Sequence, residues 1–304
     1  MAAPDALKVL YLAGMSHSGS TIIGHALGEV DGFFFAGEID NLWQRGLIEN
    51  RTCGCGEPFR ECETWSAILR AAYPFLTLAE IERMRDIHLK YVRLRGARTL
   101  VDLRNGRLPA SHPLLHYRNM LDRLYAAIRK TTGAGVIVDS SKSPWYAAVL
   151  GTSPRIDLHL VHIVRDPRGN IFSFVRRGRH SSRELLFRAA RWNAWHLATE
   201  RLHARGGAPY VRVRYEDFVS RPSETMIEIL GLVGIDDPAL EFLSEGSVRL
   251  HPKHLFSANR SRNVVGDVEL KLDQEWRSQL PAGPRTMITA ITLPIARRYG
   301  YGPS

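Results

Sequence analysis

The chain has 304 residues, 44% of them apolar and 24% charged, which is ordinary for a globular protein and leaves room for one large α/β domain or two small ones. No stretch approaches the ~20 apolar residues of a membrane span, and Met1–Asp5 lacks the basic and apolar regions of a secretory signal, so a cytoplasmic protein is the expectation. The net charge of +10, with a pI near 9.8, suits an anionic partner without choosing among nucleic acid, nucleotide and acidic glycan; no aromatic-interleaved basic stripe marks a nucleic-acid binder.

The first predicted strand is the apolar run Lys8-Val9-Leu10-Tyr11-Leu12-Ala13. It leads into Gly14-Met15-Ser16-His17-Ser18-Gly19-Ser20-Thr21, and a helical pattern opens at Ile22. Strand, turn and helix in this order aim backbone N–H groups and the Ser20 and Thr21 hydroxyls at an anion on a helix N-terminus. A nucleotide-triphosphatase loop would carry lysine where Ser20 stands. Without it, the loop reads as one that grips phosphate but is not built for ATP chemistry. Phe33–Phe35 is a short candidate strand, followed by Glu38 and a predicted helix over 39–47.

Three cysteines, Cys53, Cys55 and Cys62, share one short segment. Their C-x-C-x6-C spacing is not a common zinc pattern, and nothing in the sequence nominates a fourth ligand. Reduced thiols or one local disulfide, and no metal, are expected. Trp43, Trp65 and this segment are candidate walls of an acceptor pocket. Residues at helical spacing follow: Ile81, Met84, His88, Tyr91 and Leu94, then Tyr117, Leu121, Leu124 and Ile128. The Gly-, Pro- and Arg-rich segment 96–113 between them reads as an irregular loop over the site.

Three more buried strands are predicted at 135–138, 157–164 and 210–214, with helices at 144–151, 168–177, 183–204, 222–233 and 284–298. Alternating strands and helices predict a three-layer α/β sandwich with a central parallel sheet and ligands beyond the carboxyl ends of its strands. Trp192 and Trp195 read as core, and His112, His116, His159 and His162 as structural or solvated. The stretch 246–283 has weak periodicity and reads as a lid or binding loop. Four motifs fall at βα connections: the Gly14–Thr21 loop, Asp139-Ser140-Ser141-Lys142-Ser143-Pro144, Arg165-Asp166-Pro167-Arg168 with Ser173 eight residues after Arg165, and Tyr215-Glu216-Asp217-Phe218.

In this order the motifs resemble the sulfotransferase family that uses 3′-phosphoadenosine 5′-phosphosulfate (PAPS). The resemblance covers residues 7–235 and returns in 251–277, and it implies one domain over 1–304 with a cofactor-covering loop near 246–283. It implies that Ser16, His17, Ser18, Gly19, Ser20 and Thr21 cradle the 5′-phosphosulfate and that Arg165 and Ser173 hold the 3′-phosphate. Tyr215, Arg260, Arg262 and Gly266 are implied as further cofactor contacts. Glu38 corresponds to the catalytic base of tyrosylprotein and some glycan sulfotransferases. The family usually has Lys or Arg at the leaving-group position, where this chain has His17, and Lys142 is a candidate to share that role. Read without the resemblance, Glu38 opens a helix, Lys142 is a surface lysine, and Ser20 and Thr21 form a helix cap.

PAPS carries two separated anionic groups. The loop and the Arg165 fork answer to both on chemical grounds. The expected activity is sulfuryl transfer to a hydroxyl of a carbohydrate or other small molecule, giving PAP and a sulfate ester, with no metal. A protein-tyrosine acceptor, a non-catalytic PAP-binding protein and a P-loop kinase are the alternatives. The sequence leaves the oligomeric state open, a homodimer being one option.

Overall fold

The computed structural model describes residues 6–93, 96–176, 178, 180–256 and 263–303. β1 (Leu7–Gly14) leads into α1 (Ser20–Leu27) and β2 (Phe33–Gly37), followed by a 3₁₀ turn at Ile39–Asn41 and a π-helical stretch at Leu42–Ile48. Helices α2 (Glu63–Ala72), α3 (Leu78–Tyr91), α4 (Ala97–Arg104) and α5 (Pro113–Thr132) precede β3 (Val136–Lys142). Then come α6 (Pro144–Leu150), β4 (Ile156–Val164), α7 (Pro167–Val175), α8 (Ser182–Gly206) and β5 (Tyr210–Arg214). The remaining elements are α9 (Tyr215–Ser220), α10 (Pro222–Gly231), β6 (Leu243–Ser244), β7 (Ser247–Leu250), β8 (Gly266–Glu269), α11 (Trp276–Gln279) and α12 (Ala282–Ala296).

The strands of the main sheet run β2-β3-β1-β4-β5, and every pairing is parallel. Leu10 sits between Val138 and His159 in the register. β1 is apolar throughout because helices cover both of its faces. Leu7, Val9, Tyr11 and Ala13 enter one core with α2, α3, α5 and α6, while Leu10 and Leu12 enter the other with α1, α9 and α10. Each fully buried Leu or Val contributes about 1.5–3 kcal/mol relative to exposure. The strands stack so that all five release the chain at the same edge of the sheet. β1 ends at the phosphate loop, β2 before Glu38, β3 at Lys142, β4 before Arg165 and β5 before Tyr215.

All five predicted strands are present, and β3 runs further than expected, carrying Asp139–Lys142 within the sheet rather than after it. Three expectations are corrected. Within 96–113, residues 97–104 form α4, whose Leu100 and Leu103 reach the core. The stretch 246–283 is not a structureless loop: β7 pairs antiparallel with β6 and β8, and Val248 and Leu250 are buried. The segment expected as a 39–47 helix is instead split between the 3₁₀ turn and the π-helical stretch.

Candidate active site

The loop between β1 and α1 lines a cleft of about 1610 Å³. Ser16, His17, Gly19, Ser20 and Thr21 face it, and Gly19 is the cap residue of α1, so the free N–H groups of that helix open toward the cleft. Gly19 is required twice over. Its φ of +88° is left-handed, and a Cβ there would come within 2.3 Å of the Tyr215 ring. Ser18 is buried away from the cleft lining, and its hydroxyl has no hydrogen-bond partner among the described residues.

Arg165, at the end of β4, is 6% exposed and reaches across the cleft floor. Its Nη1 donates to the His17 carbonyl at 2.9 Å and to Ser173 Oγ at 3.3 Å, so the arginine and serine predicted to act together do meet. Its Nη2 donates to Asp273 Oδ2 at 2.9 Å, and its guanidinium stacks over the Tyr215 ring at 4.7 Å. The neighbouring residues of this motif hold the scaffold. Asp166 caps α7 and binds Arg168 through both carboxylate oxygens, while its own N–H donates to Glu216 Oε1 at 3.0 Å. Asn170 Nδ2 donates to the Ser16 carbonyl at 2.9 Å.

On the opposite wall, Lys142 Nζ donates to Glu38 Oε1 at 2.5 Å and to the Ser140 carbonyl at 2.9 Å. Glu38 also accepts from Asn41 at 3.2 Å and lies 3.8 Å from Arg45, and its own side chain is 12% exposed. Lys142 is buried, which excludes the surface-lysine reading. It adopts a left-handed φ of +67°, held by Trp195 Nε1 donating to its carbonyl at 3.1 Å. Behind it Asp139 accepts from the Tyr125 and Ser141 hydroxyls and from the Ser141 N–H at 2.8 Å. Burial raises the Asp139 carboxyl to about 6 against these hydrogen bonds.

His17 also has a left-handed φ, +65°, and packs edge-on against Phe174 at 4.3 Å. Burial, and then the positive charges of Arg165, Lys142, Arg176 and Arg188, lower its pKa to about 4. The imidazole is therefore neutral at neutral pH in the ligand-free protein.

Several placements differ from expectation. Gly266 opens β8 and does not line the cleft. Arg260 and Arg262 lie outside the described residues. Trp43 and Trp65 are fully buried and do not line the cleft. Trp195 does line it, against the expectation of a core residue, whereas Trp192 is core. Cys53, Cys55 and Cys62 are free thiols, the first of the two alternatives expected for them. Asp273, Arg45 and Asn41 escaped the sequence reading, since polar residues in irregular segments carry no periodic signal. His88, Arg93, Trp145 and Arg191 line the part of the cleft contributed by α3, α6 and α8.

The solved sulfotransferase domain from the Synechococcus PCC 7002 olefin synthase superposes with a TM-score of 0.50 at 18% identity, covering 99% of this chain and 97% of that one. Sulfotransferase STF9 from Mycobacterium avium gives a TM-score of 0.45 at 16% identity, covering 76% of this chain and 64% of that one. A search of curated proteins gave no match. The shared feature with the first is the fold, a central parallel five-stranded sheet flanked by helices. The model of the sulfotransferase family matches residues 10–239, which span every strand of the main sheet and all four motifs, and the chain belongs to that family.

Proposed function

We propose that the protein transfers a sulfuryl group from PAPS to a hydroxyl of a carbohydrate or other small-molecule acceptor, and that the chain acts as one sulfotransferase domain. The observation that carries this reading is the meeting of two devices in one cleft: an anion loop braced by the Arg165–Ser173 pair, and a Glu38–Lys142 pair facing it. The residues fit a ligand with two anionic groups. The N-terminus of α1, with Ser20 and Thr21, suits the phosphosulfate. Arg165 and Ser173 suit the 3′-phosphate, with Tyr215 packed against both Gly19 and Arg165.

PAPS, when bound, supplies the sulfuryl group and a PAP leaving group. Glu38 takes the proton of the acceptor hydroxyl, its carboxylate held in one position by Lys142, Arg45 and Asn41. Lys142, held between Glu38 and the Ser140 carbonyl, would supply positive charge to the oxygen that leaves. His17 serves as a neutral hydrogen-bonding group that gains a proton when anions enter. The acceptor enters past Trp145, Arg191 and the end of α3.

The test is Glu38→Gln. PAP affinity should be unchanged, and turnover of PAPS with a screened acceptor should fall at least about 10²-fold. Near-normal turnover would remove Glu38 as the base.

A further inference from the structure

We infer that Cys53, Cys55, Cys62 and His254 form a structural zinc site that clamps the 253–256 segment to the segment before α2. The inference is independent of the PAPS reading. One ligand atom from each of the four residues lies within 4.8 Å of every other. Cys62 Sγ is 3.3 Å from His254 Nδ1. Tetrahedral bonds of about 2.3 Å to sulfur and about 2.0 Å to nitrogen put such atoms roughly 3.5–3.8 Å apart, so metal binding needs only small adjustments. Three thiolates and an imidazole select zinc over magnesium or calcium. Four protein ligands leave no open position, which makes the site structural rather than catalytic.

The backbone around the cysteines is already built as a tight knuckle. The Cys53 N–H donates to the Glu57 carbonyl at 2.8 Å and the Gly56 N–H to the Cys53 carbonyl at 3.0 Å. Gly56 takes a left-handed φ of +98°. Two hydrogen bonds bring the partner segment in. The Gly54 N–H donates to the Leu255 carbonyl at 2.9 Å, and Trp65 Nε1 donates to the His254 carbonyl at 2.6 Å. A Cβ at Gly54 would come within 2.4 Å of the Lys253 carbonyl, so glycine is what lets the segments approach. The Cys53 thiol now donates to the Leu255 carbonyl at 3.6 Å, a contact it would exchange for the metal.

The clamp has a consequence for the cleft. Two residues after His254, Phe256 bridges to the end of β2. Its N–H donates to the Ala36 carbonyl at 3.0 Å, and its carbonyl accepts from the Glu38 N–H at 2.8 Å. A zinc ion on His254 would therefore fix the strand that holds the backbone of Glu38.

The test is the metal content of the full chain, expressed with zinc supplied and desalted in reducing buffer. About one zinc per chain is expected. Cobalt added to metal-stripped wild type should give tetrahedral bands with thiolate charge transfer, a readout that needs no variant to fold. His254→Ala and Cys62→Ser should each lower zinc affinity by at least about tenfold, and His254→Cys should retain the metal. Metal-free protein with three titratable thiols, a Cys53–Cys62 disulfide in the mass spectrum, or zinc affinity indifferent to both His254→Ala and Cys62→Ser would overturn the assignment.

Discussion

His17 is crowded by cations, and that is what makes it informative. Its pKa, about 4 against an ordinary 6.5, reflects burial first and the charges of Arg165, Lys142, Arg176 and Arg188 after it. An anion in the loop offsets those charges and raises the imidazole again. At about pH 5.5, calorimetry in buffers of different ionisation enthalpy should show wild type taking up more protons on PAP binding than His17→Asn. Equal uptake would place His17 away from the bound anion. Arg165 also has partners within the protein, the His17 carbonyl and Asp273. Arg165→Lys keeps a charge but loses the fork, and should weaken PAP by about 1.5–3 kcal/mol while leaving ADP, which has no 3′-phosphate, nearly unaffected. Loss of both ligands equally would mean a collapsed loop rather than a lost phosphate contact. At this scale the sequence pointed to residues that stand in a motif, Arg165, Ser173 and Lys142, and to Glu38 through its place after the short second strand. It did not show Asp273, which reaches Arg165 from 108 residues away, or His254, which meets Cys62 across 192. Contacts of that range leave no local spacing to read.

Between β4 and α8 lies a buried histidine pair. His162 Nε2 is 2.7 Å from His196 Nδ1, and Tyr210 OH is 2.8 Å from His162 Nδ1. Burial lowers both histidines, His196 to about 3, and lowers His88 on α3 to about 4. Unfolded histidines titrate near 6.5, so below that pH the unfolded chain binds protons that the folded chain refuses. Stability is full above pH 6.5 and falls as pH drops toward the folded values, by up to about 1.4 kcal/mol per pH unit for each buried histidine. Asp139, raised to about 6, works in the opposite direction below that pH, because its folded form binds the proton more readily. Urea unfolding at about pH 7.5, 6.5 and 6.0 should therefore show falling stability, the fall steepening toward pH 6.0 but held below the histidines' own sum by Asp139. Stability that is flat or rising over that range would contradict the buried, neutral state of these histidines. Element by element, the central strands were legible because burial on both faces writes continuous apolar runs. The small sheet was not, because β8 is Gly-Asp-Val-Glu, largely exposed and paired only through distant β7. α4 was obscured by its flanking glycines and arginines, with Leu100 and Leu103 alone reaching the core.

Across the whole molecule, five parallel strands end at one edge, and each places one part of the cleft there. That convergence follows from the strands being parallel, so that each releases the chain at the same, carboxyl edge. It is why four short motifs scattered over more than 200 residues, each at a βα connection, meet at one cleft. The end of the cleft lined by α3, α6 and α8 is different: its residues follow no shared pattern, so its chemistry becomes visible only when the helices are packed. Among the described residues no helix is long and apolar enough to cross a membrane.

We propose that this cleft holds a nucleotide carrying both a 5′-phosphosulfate and a 3′-phosphate. Calorimetric titration of the purified protein with PAP and with ADP, both without Mg²⁺, tests it most directly. PAP should bind tightly and ADP at least about tenfold more weakly, the loss expected when a charge-assisted phosphate contact is missing. Equal affinity for the two nucleotides would contradict it, since Arg165 and Ser173 would then hold no 3′-phosphate.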